Sequence, residues 1–463
     1  MTLEGIDNVQ DFVEKLDRIE PPGQLISFLT DPLLQKYVAL KPSPITLRRI
    51  DLWLATCLEE QYNAVKTGTA DSSYLSEILE GLLKHAHYTK VGAQDHPLIQ
   101  DADYMQTLPA IVQDFLKEFL PHWDGVQNAD SILGLLSYIP MQPFQNAYAA
   151  FLQPAERALI ESSSSSETYE LILGLYTSLF RRWAVQTPVR PSRRPGPVLS
   201  HADQLAFSDL IAHVDQLSTS LLISLPSSDA TLTSSILTFY EVISTSSIPD
   251  RVPIVLPPTY LIYLFAVASS TTELSRVAGI IASFKSAFDS HPRNLKDYYH
   301  ADIVDSFNCS IRDIYHLIWI SRALSVGQDK EGRSNALGMY CDPSLRDTLN
   351  TYLGEIDHKY AIQTSFGISY NTCLASLGAA AWRELEEAEI QRQGYDRRSI
   401  KWHEGPVSQR TLEVLKRNGG VGVDWEAYRV HVLKWMDARG CGGLKEFLFA
   451  SSKATREKYP DEK

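Results

Sequence analysis

The chain has 463 residues, 44% hydrophobic and 21% charged, which is the balance of a folded soluble protein too long for one compact core. Forty-three Lys and Arg against 56 Asp and Glu leave a net charge of −13, which makes the chain a poor generic nucleic-acid binder, so any contact with DNA needs a local basic patch. No uncharged apolar run reaches the roughly 18 residues of a membrane span.

The opening MTLEGIDNVQDFVEKLD carries acids early and lacks the pattern of a secretory signal. Cys57, Cys309, Cys341, Cys373 and Cys441 lie far apart and form no CxxC. They read as reduced, mostly buried thiols in a cytosolic or nuclear chain.

Residues 6–40 hold two short helical patterns broken at Pro21, Pro22 and Gly23. The second carries Leu25, Phe28, Leu29, Leu33, Leu34, Tyr37 and Val38, and it ends before Pro42, where the preceding residue avoids the α region. Apolar spacing then predicts helices over 47–62, 72–87, 108–120, 131–138, 141–152 and 168–184. The turns between them are short and marked by Pro, Gly, Asn or Asp, and no apolar/polar alternation is long enough for a sheet.

The clearest break is QTPVRPSRRPGPVLS, residues 186–200, whose prolines and missing periodicity predict a stiff exposed linker. Between Arg181 and Arg194 there are five arginines and no acid, including Arg190, Arg193 and Arg194. These are candidates for contact with an acidic partner or a phosphate backbone, against the plainer reading of a solvated linker. Beyond it, helices are expected over 202–225, 232–244, 260–269 and 272–288.

The spine of the second half is ADIVDSFNCSIRDIYHLIWISRAL, residues 301–324, roughly 36 Å if helical throughout. Ile303, Phe307, Ile311, Ile314, Tyr315, Ile318 and Leu324 make its stripe, leaving Asp305, Arg312, Asp313 and Arg322 for the edges. Trp319 falls off that stripe with Arg322 three residues later on the same side. An aromatic beside an arginine is the pairing enriched at interface hot spots, so Trp319 and Arg322 are candidate partner contacts.

Further helices are expected at 344–355 and, as a pair interrupted near Gly367, over 356–393, with the charged 382–392 stretch projecting into solvent. In the closing unit Asp424 caps a helix whose buried stripe is Trp425, Tyr428, Val432, Trp435 and Met436. Glu426, Arg429 and Lys434 take the other faces, Gly440 stops the helix, and the residues past Lys453 read as a frayed tail.

Catalytic chemistry is hard to find. His85, His87 and His96 with Asp95, Asp101 and Asp103 lack a metal-ligand spacing, and the Gly440-Cys441-Gly442-Gly443 run lacks the order of a P-loop or dinucleotide site. No GxSxG is present. The expectation is an all-α chain, a HEAT-like α-solenoid or irregular helical array, with no enzymatic activity and no cofactor. Arrays 1–185 and 201–463 would be joined by the 186–200 linker.

Several stretches carry a resemblance. PPGQLISFLTDPLLQKYVALKPSPITLRRIDLWL, FLPHWDGVQNADSILGLLSYIP, LIWISRAL and WEAYRVHVLKWMDARGCGGLKEFLFA together resemble the centromere protein I (CENP-I) family in its fungal form. The resemblance implies a HEAT-like, non-enzymatic subunit of the constitutive inner kinetochore, in the nucleus at the centromere. It also implies association with the coiled-coil pair CENP-H and CENP-K and support of attachment to centromeric chromatin. Family members are longer, and this chain looks like their C-terminal part. The other reading is a helical adaptor of a different intracellular complex, in trafficking or transcription.

Overall fold

A computed structural model describes residues 7–15, 28–31, 44–67, 72–92, 108–186, 201–224, 229–246, 254–267, 270–291, 299–320, 343–356 and 361–459. Among these residues every regular element is helical and none is a strand, an arrangement consistent with the solenoid-like array expected. The chain forms two compact units, Met1–Phe239 with Asp250–Pro253, and Tyr240–Pro249 with Ile254–Lys463. No described helix is long and apolar enough to cross a membrane.

The first unit contains α1 (Val9–Glu14), α2 (Pro44–Thr67), α3 (Ser72–Gly92), α4 (Ala110–Phe119), α5 (Ala129–Leu136), α6 (Phe144–Ala147), α7 (Gln153–Ser162), α8 (Ser166–Gln186) and α9 (His201–Ser224). α10 (Ala230–Ser246) begins in this unit and ends in the second. Helix α2 packs on α4, α3 on α5, α5 on α8, and α8 on α9.

The core of this unit follows the apolar stripes. Ile132, Leu135 and Leu136 of α5 and Ile172, Tyr176, Leu179 and Trp183 of α8 are all buried, and the two helices pack together. Trp183 is fully enclosed, and its indole N–H donates to Ile139 O at 2.9 Å, so the largest apolar ring carries no unpaired donor.

The second unit continues with α11 (Thr259–Ala266), α12 (Thr271–Asp289), α13 (Ala301–Tyr315), α14 (Pro343–Ile356), α15 (Ala375–Gln393), α16 (Gln409–Arg417), α17 (Trp425–Asp437), α18 (Gly443–Ser451) and α19 (Lys453–Lys458). Its tightest crossing is α12 on α18, which the glycine-rich turn makes possible. Gly440 stops α17 at φ 86°, and the backbone N–H of Gly443 donates to Ser275 Oγ at 3.1 Å. A Cβ on Gly443 would stand 1.9 Å from Ser275 O, so only glycine admits this approach. The run is a tight helix–helix turn.

Several expectations are corrected. The 356–393 region is not two helices: residues 361–374 form successive turns, and one helix, α15, follows. Nor does its charged stretch project into solvent. Ala381, Trp382, Glu386 and Ile390 recur at steps of four or fewer and are buried, since i, i+4 spacing gathers them on one face despite the surrounding charge.

On the spine helix Asp313, assigned to an edge, is buried and accepts from Tyr263 Oη at 2.6 Å, while Ile303, assigned to the stripe, is 41% exposed. The face is turned toward α11, where a tyrosine hydroxyl replaces the carboxylate's lost water. Among the described residues past Lys453 the chain is not frayed but helical over Lys453–Lys458. Ser452 caps α19, and Thr455 is buried. Of the described cysteines Cys57 is buried, whereas Cys309, Cys373 and Cys441 are half-buried thiols.

Candidate partner interface

The spine helix widens at its end into a π-helical turn, His316–Ile320, that carries Trp319. Such turns recur at functional sites because they displace side chains from the regular helical register. Trp319 is 6% exposed, so its ring lies inside the unit. Arg322, with Leu324, lies outside the described residues, as do Arg190, Arg193 and Arg194 of the basic stretch. Of that stretch, Arg182 is folded in: its guanidinium stands 3.2 Å from the Tyr138 ring centre, and its Nε donates to Ser137 Oγ at 2.9 Å.

The arginine described on Trp319 is Arg429. α17 starts at Asp424, whose side chain accepts the Glu426 N–H at 3.2 Å, and Arg429 follows Trp425 by four residues on the same face. That spacing places the Arg429 guanidinium 3.8 Å from the centre of the Trp319 ring and 5.1 Å from that of Trp425. Its Nη1 donates to Trp319 O at 2.6 Å. Both ring contacts lie within cation–π range. Sequence reasoning left Arg429 on an outer face of the closing helix. The available signal was its i+4 relation to Trp425, while the contact 110 positions away in the chain had none.

The electrostatics of this group are unusual for a folded arginine. Burial lowers its pKa to about 10, outweighing the nearby Tyr315, Glu426 and Asp424. Its Nε–H is buried without an acceptor among the described residues. The two acids close enough to matter are committed elsewhere, Asp424 to capping α17 and Glu426 to an ion pair with Lys458. Trp425 and Trp435, expected to be buried, are both half-buried. The enclosed residues of α17 are Tyr428, Val430, Val432, Leu433 and Met436. Each tryptophan instead meets an arginine, Arg439 lying 3.5 Å from the Trp435 ring centre.

A second polar cluster sits in the first unit beside the other π-helical turn, Tyr148–Leu152. Glu156 accepts from Tyr176 Oη at 2.6 Å and from Tyr148 Oη at 3.1 Å, and His213 Nε2 lies 3.1 Å from both Glu156 Oε1 and Tyr176 Oη. The rings of Phe144, Tyr148 and Tyr176 surround the imidazole at 5.5, 4.7 and 5.1 Å. Burial and then the Glu156 carboxylate push the Tyr148 hydroxyl up to about 12 and that of Tyr176 well above its ordinary range. The carboxylate, hydroxyls and imidazole satisfy one another, which makes this a structural knot.

A third cluster is in the C-terminal helices. Glu386, fully buried, accepts the His403 backbone N–H at 2.8 Å and an Arg383 N–H at 3.1 Å, and burial raises its pKa. His403 is buried against Trp382 and reaches Thr411 Oγ1 at 2.9 Å, and burial lowers its proton affinity. Among the described residues no group of three His, Cys, Asp or Glu side chains is placed to hold a metal ion. His85 is half-buried beside Phe28, with its proton affinity lowered by burial. The His87 side chain and His96 lie outside the described set.

Fold and site define a helical protein whose polar clusters hold helices together and whose Arg429 cation, with a buried Nε–H lacking an acceptor among the described residues, faces a pair of tryptophans. The family model described as CENP-I: Mis6 matches residues 1–186. Centromere protein I of Gallus gallus is 22% identical over 99% of this chain and 56% of its own length. Centromere protein I of Mus musculus is 23% identical over 71% of this chain and 43% of its own length. The chain therefore spans about half the length of the curated relatives it matches. Its first 186 residues thus resemble the CENP-I family, and the similarity to Centromere protein I runs along nearly the whole chain.

Proposed function

We propose that the chain is a non-enzymatic scaffold subunit of the constitutive inner kinetochore, binding a coiled-coil pair of the CENP-H and CENP-K kind and supporting chromosome segregation. The observation that supports this most is the combination of an all-helical array with similarity to Centromere protein I along 99% of the chain. Stacked helices offer long grooves, and a coiled-coil pair presents apolar stripes flanked by charges that suit them. Trp319 and Arg322 form part of the proposed partner contact. Arg190, Arg193 and Arg194 are proposed as a local basic contact to an acidic partner or to centromeric chromatin, since the net charge of −13 requires any such contact to be local.

Affinity purification of the chain from nuclear extract tests the proposal. Recovery of the centromeric histone together with the coiled-coil pair is expected. Recovery of vesicle-coat or transcription-complex subunits instead would overturn it.

A further inference from the structure

We propose that the guanidinium of Arg429, held between Trp319 and Trp425, is the docking point for a single carboxylate side chain of a helical partner protein. The proposal rests on the scaffold reading above and names the chemistry of one of its contacts.

A guanidinium carries five N–H donors in a planar fork. At Arg429 the structure assigns one acceptor, Trp319 O at 2.6 Å, and leaves the buried Nε–H with none. Taking an arginine out of water without a carboxylate is costly unless something later supplies the missing acceptors. Arg276 shows what a completed arginine looks like here: its Nε and Nη2 grip Glu241 at 2.6 and 2.8 Å, bidentate. Arg429 has the same fork with no such carboxylate, because Asp424 caps its helix and Glu426 is taken by Lys458.

The two indole rings fix the plane of the fork before any ligand arrives, which removes much of the entropic cost of binding. Next to Trp319, Ile320 is 40% exposed and gives the polar point an apolar rim, the arrangement that excludes water around an interface anchor. A carboxylate fits better than a phosphate backbone. Asp424 and Glu426 stand close enough to repel a polyanion, and the chain's net charge of −13 adds to that repulsion.

The test uses the full chain and a recombinant coiled-coil pair of the CENP-H and CENP-K kind, with affinity measured by titration calorimetry. Arg429→Gln is expected to weaken binding at least about tenfold with an unchanged circular dichroism spectrum. A Glu→Gln scan of the pair is then expected to find one position whose loss equals that of Arg429→Gln and does not add to it in the double variant. Binding of Arg429→Gln within twofold of wild type would overturn the carboxylate contact while leaving the scaffold reading intact.

A pair that fails to bind the wild-type chain counts against the scaffold reading, and a second probe then decides the cation site by itself. The Arg429 Nε–H resonance, assigned by its loss in Arg429→Lys, is followed during titration with N-acetylglutamate amide. A saturable shift is expected. No shift, or a stronger response to inorganic phosphate, would overturn the proposal. The same titration serves if Arg429→Gln fails to fold.

Discussion

The Glu156 cluster of the first unit and the Arg429 cluster of the second are built from the same parts to opposite effect. Each places a charged side chain among aromatic rings beside a π-helical turn, Tyr148–Leu152 in one and His316–Ile320 in the other. Glu156 accepts two tyrosine hydroxyls and lies 3.1 Å from an imidazole nitrogen, so its desolvation is offset inside the fold. Arg429 has one carbonyl and two ring faces, and its Nε–H is left over. Similar composition therefore does not mean similar role. A buried ion with a complete set of partners fastens helices, while one with a partial set is kept for something outside the unit.

The contrast predicts that damage to packing and damage to the closed cluster both cost several kcal/mol, while damage to the open cluster hardly registers. Gly443→Ala forces a methyl group to within 1.9 Å of Ser275 O and must push α18 off α12. A loss of about 3 kcal/mol is expected in urea unfolding followed by tryptophan fluorescence. Glu156→Leu strips the acceptor from Tyr148 and Tyr176 and should cost about 3 kcal/mol, with Tyr176→Phe costing nearer 1 kcal/mol. Equal losses for these two would mean that Glu156 matters only through Tyr176.

A pH series sharpens the picture for the third cluster. Burial and then Arg383 lower the proton affinity of His403 in the folded state, so the unfolded chain binds more protons as pH falls below the ordinary histidine value of 6.5. Stability is therefore present above that value and is lost on acidification, by up to about 1.4 kcal/mol per pH unit. The raised Glu386 carboxyl works the other way at lower pH, because the folded state holds its proton more tightly. His403→Gln should flatten the slope between pH 7 and about 5.5 in denaturant titrations. An unchanged slope would assign the effect to His85 or His431, whose proton affinities burial also lowers.

Most helices were legible because their apolar spacing and terminal signals agree. The Asp424 cap, the Gly440 stop and the 201–224 and 271–289 helices fall within a residue or two of expectation. What failed were places where tertiary packing overrides local pattern. Glu386 sits in the most charged stretch of α15 and is buried because the His403 loop amide and Arg383 meet its oxygens; Arg383, three residues back, is visible from the helix, but the loop amide is not.

Asp313 is buried for the same kind of reason, a tyrosine 50 residues earlier. The site was half visible: Trp319 stood out as an off-stripe aromatic, but the arginine described on it comes from α17, more than a hundred residues along the chain. Spacing reports which residues share a face and says nothing about which distant face meets it.

The smallest predicted effect is also the most telling. Arg429→Leu keeps apolar packing against Trp319 and removes a desolvated cation that lacks a carboxylate, so unfolding free energy should stay within about 1 kcal/mol of wild type. Parallel urea unfolding of wild type, Glu156→Leu and Arg429→Leu tests the contrast directly. The expected result is a loss of about 3 kcal/mol for Glu156→Leu beside a near-unchanged Arg429→Leu. A loss for Arg429→Leu as large as that for Glu156→Leu would contradict it, and would make Arg429 a fastening of the fold instead of a point held open for a partner.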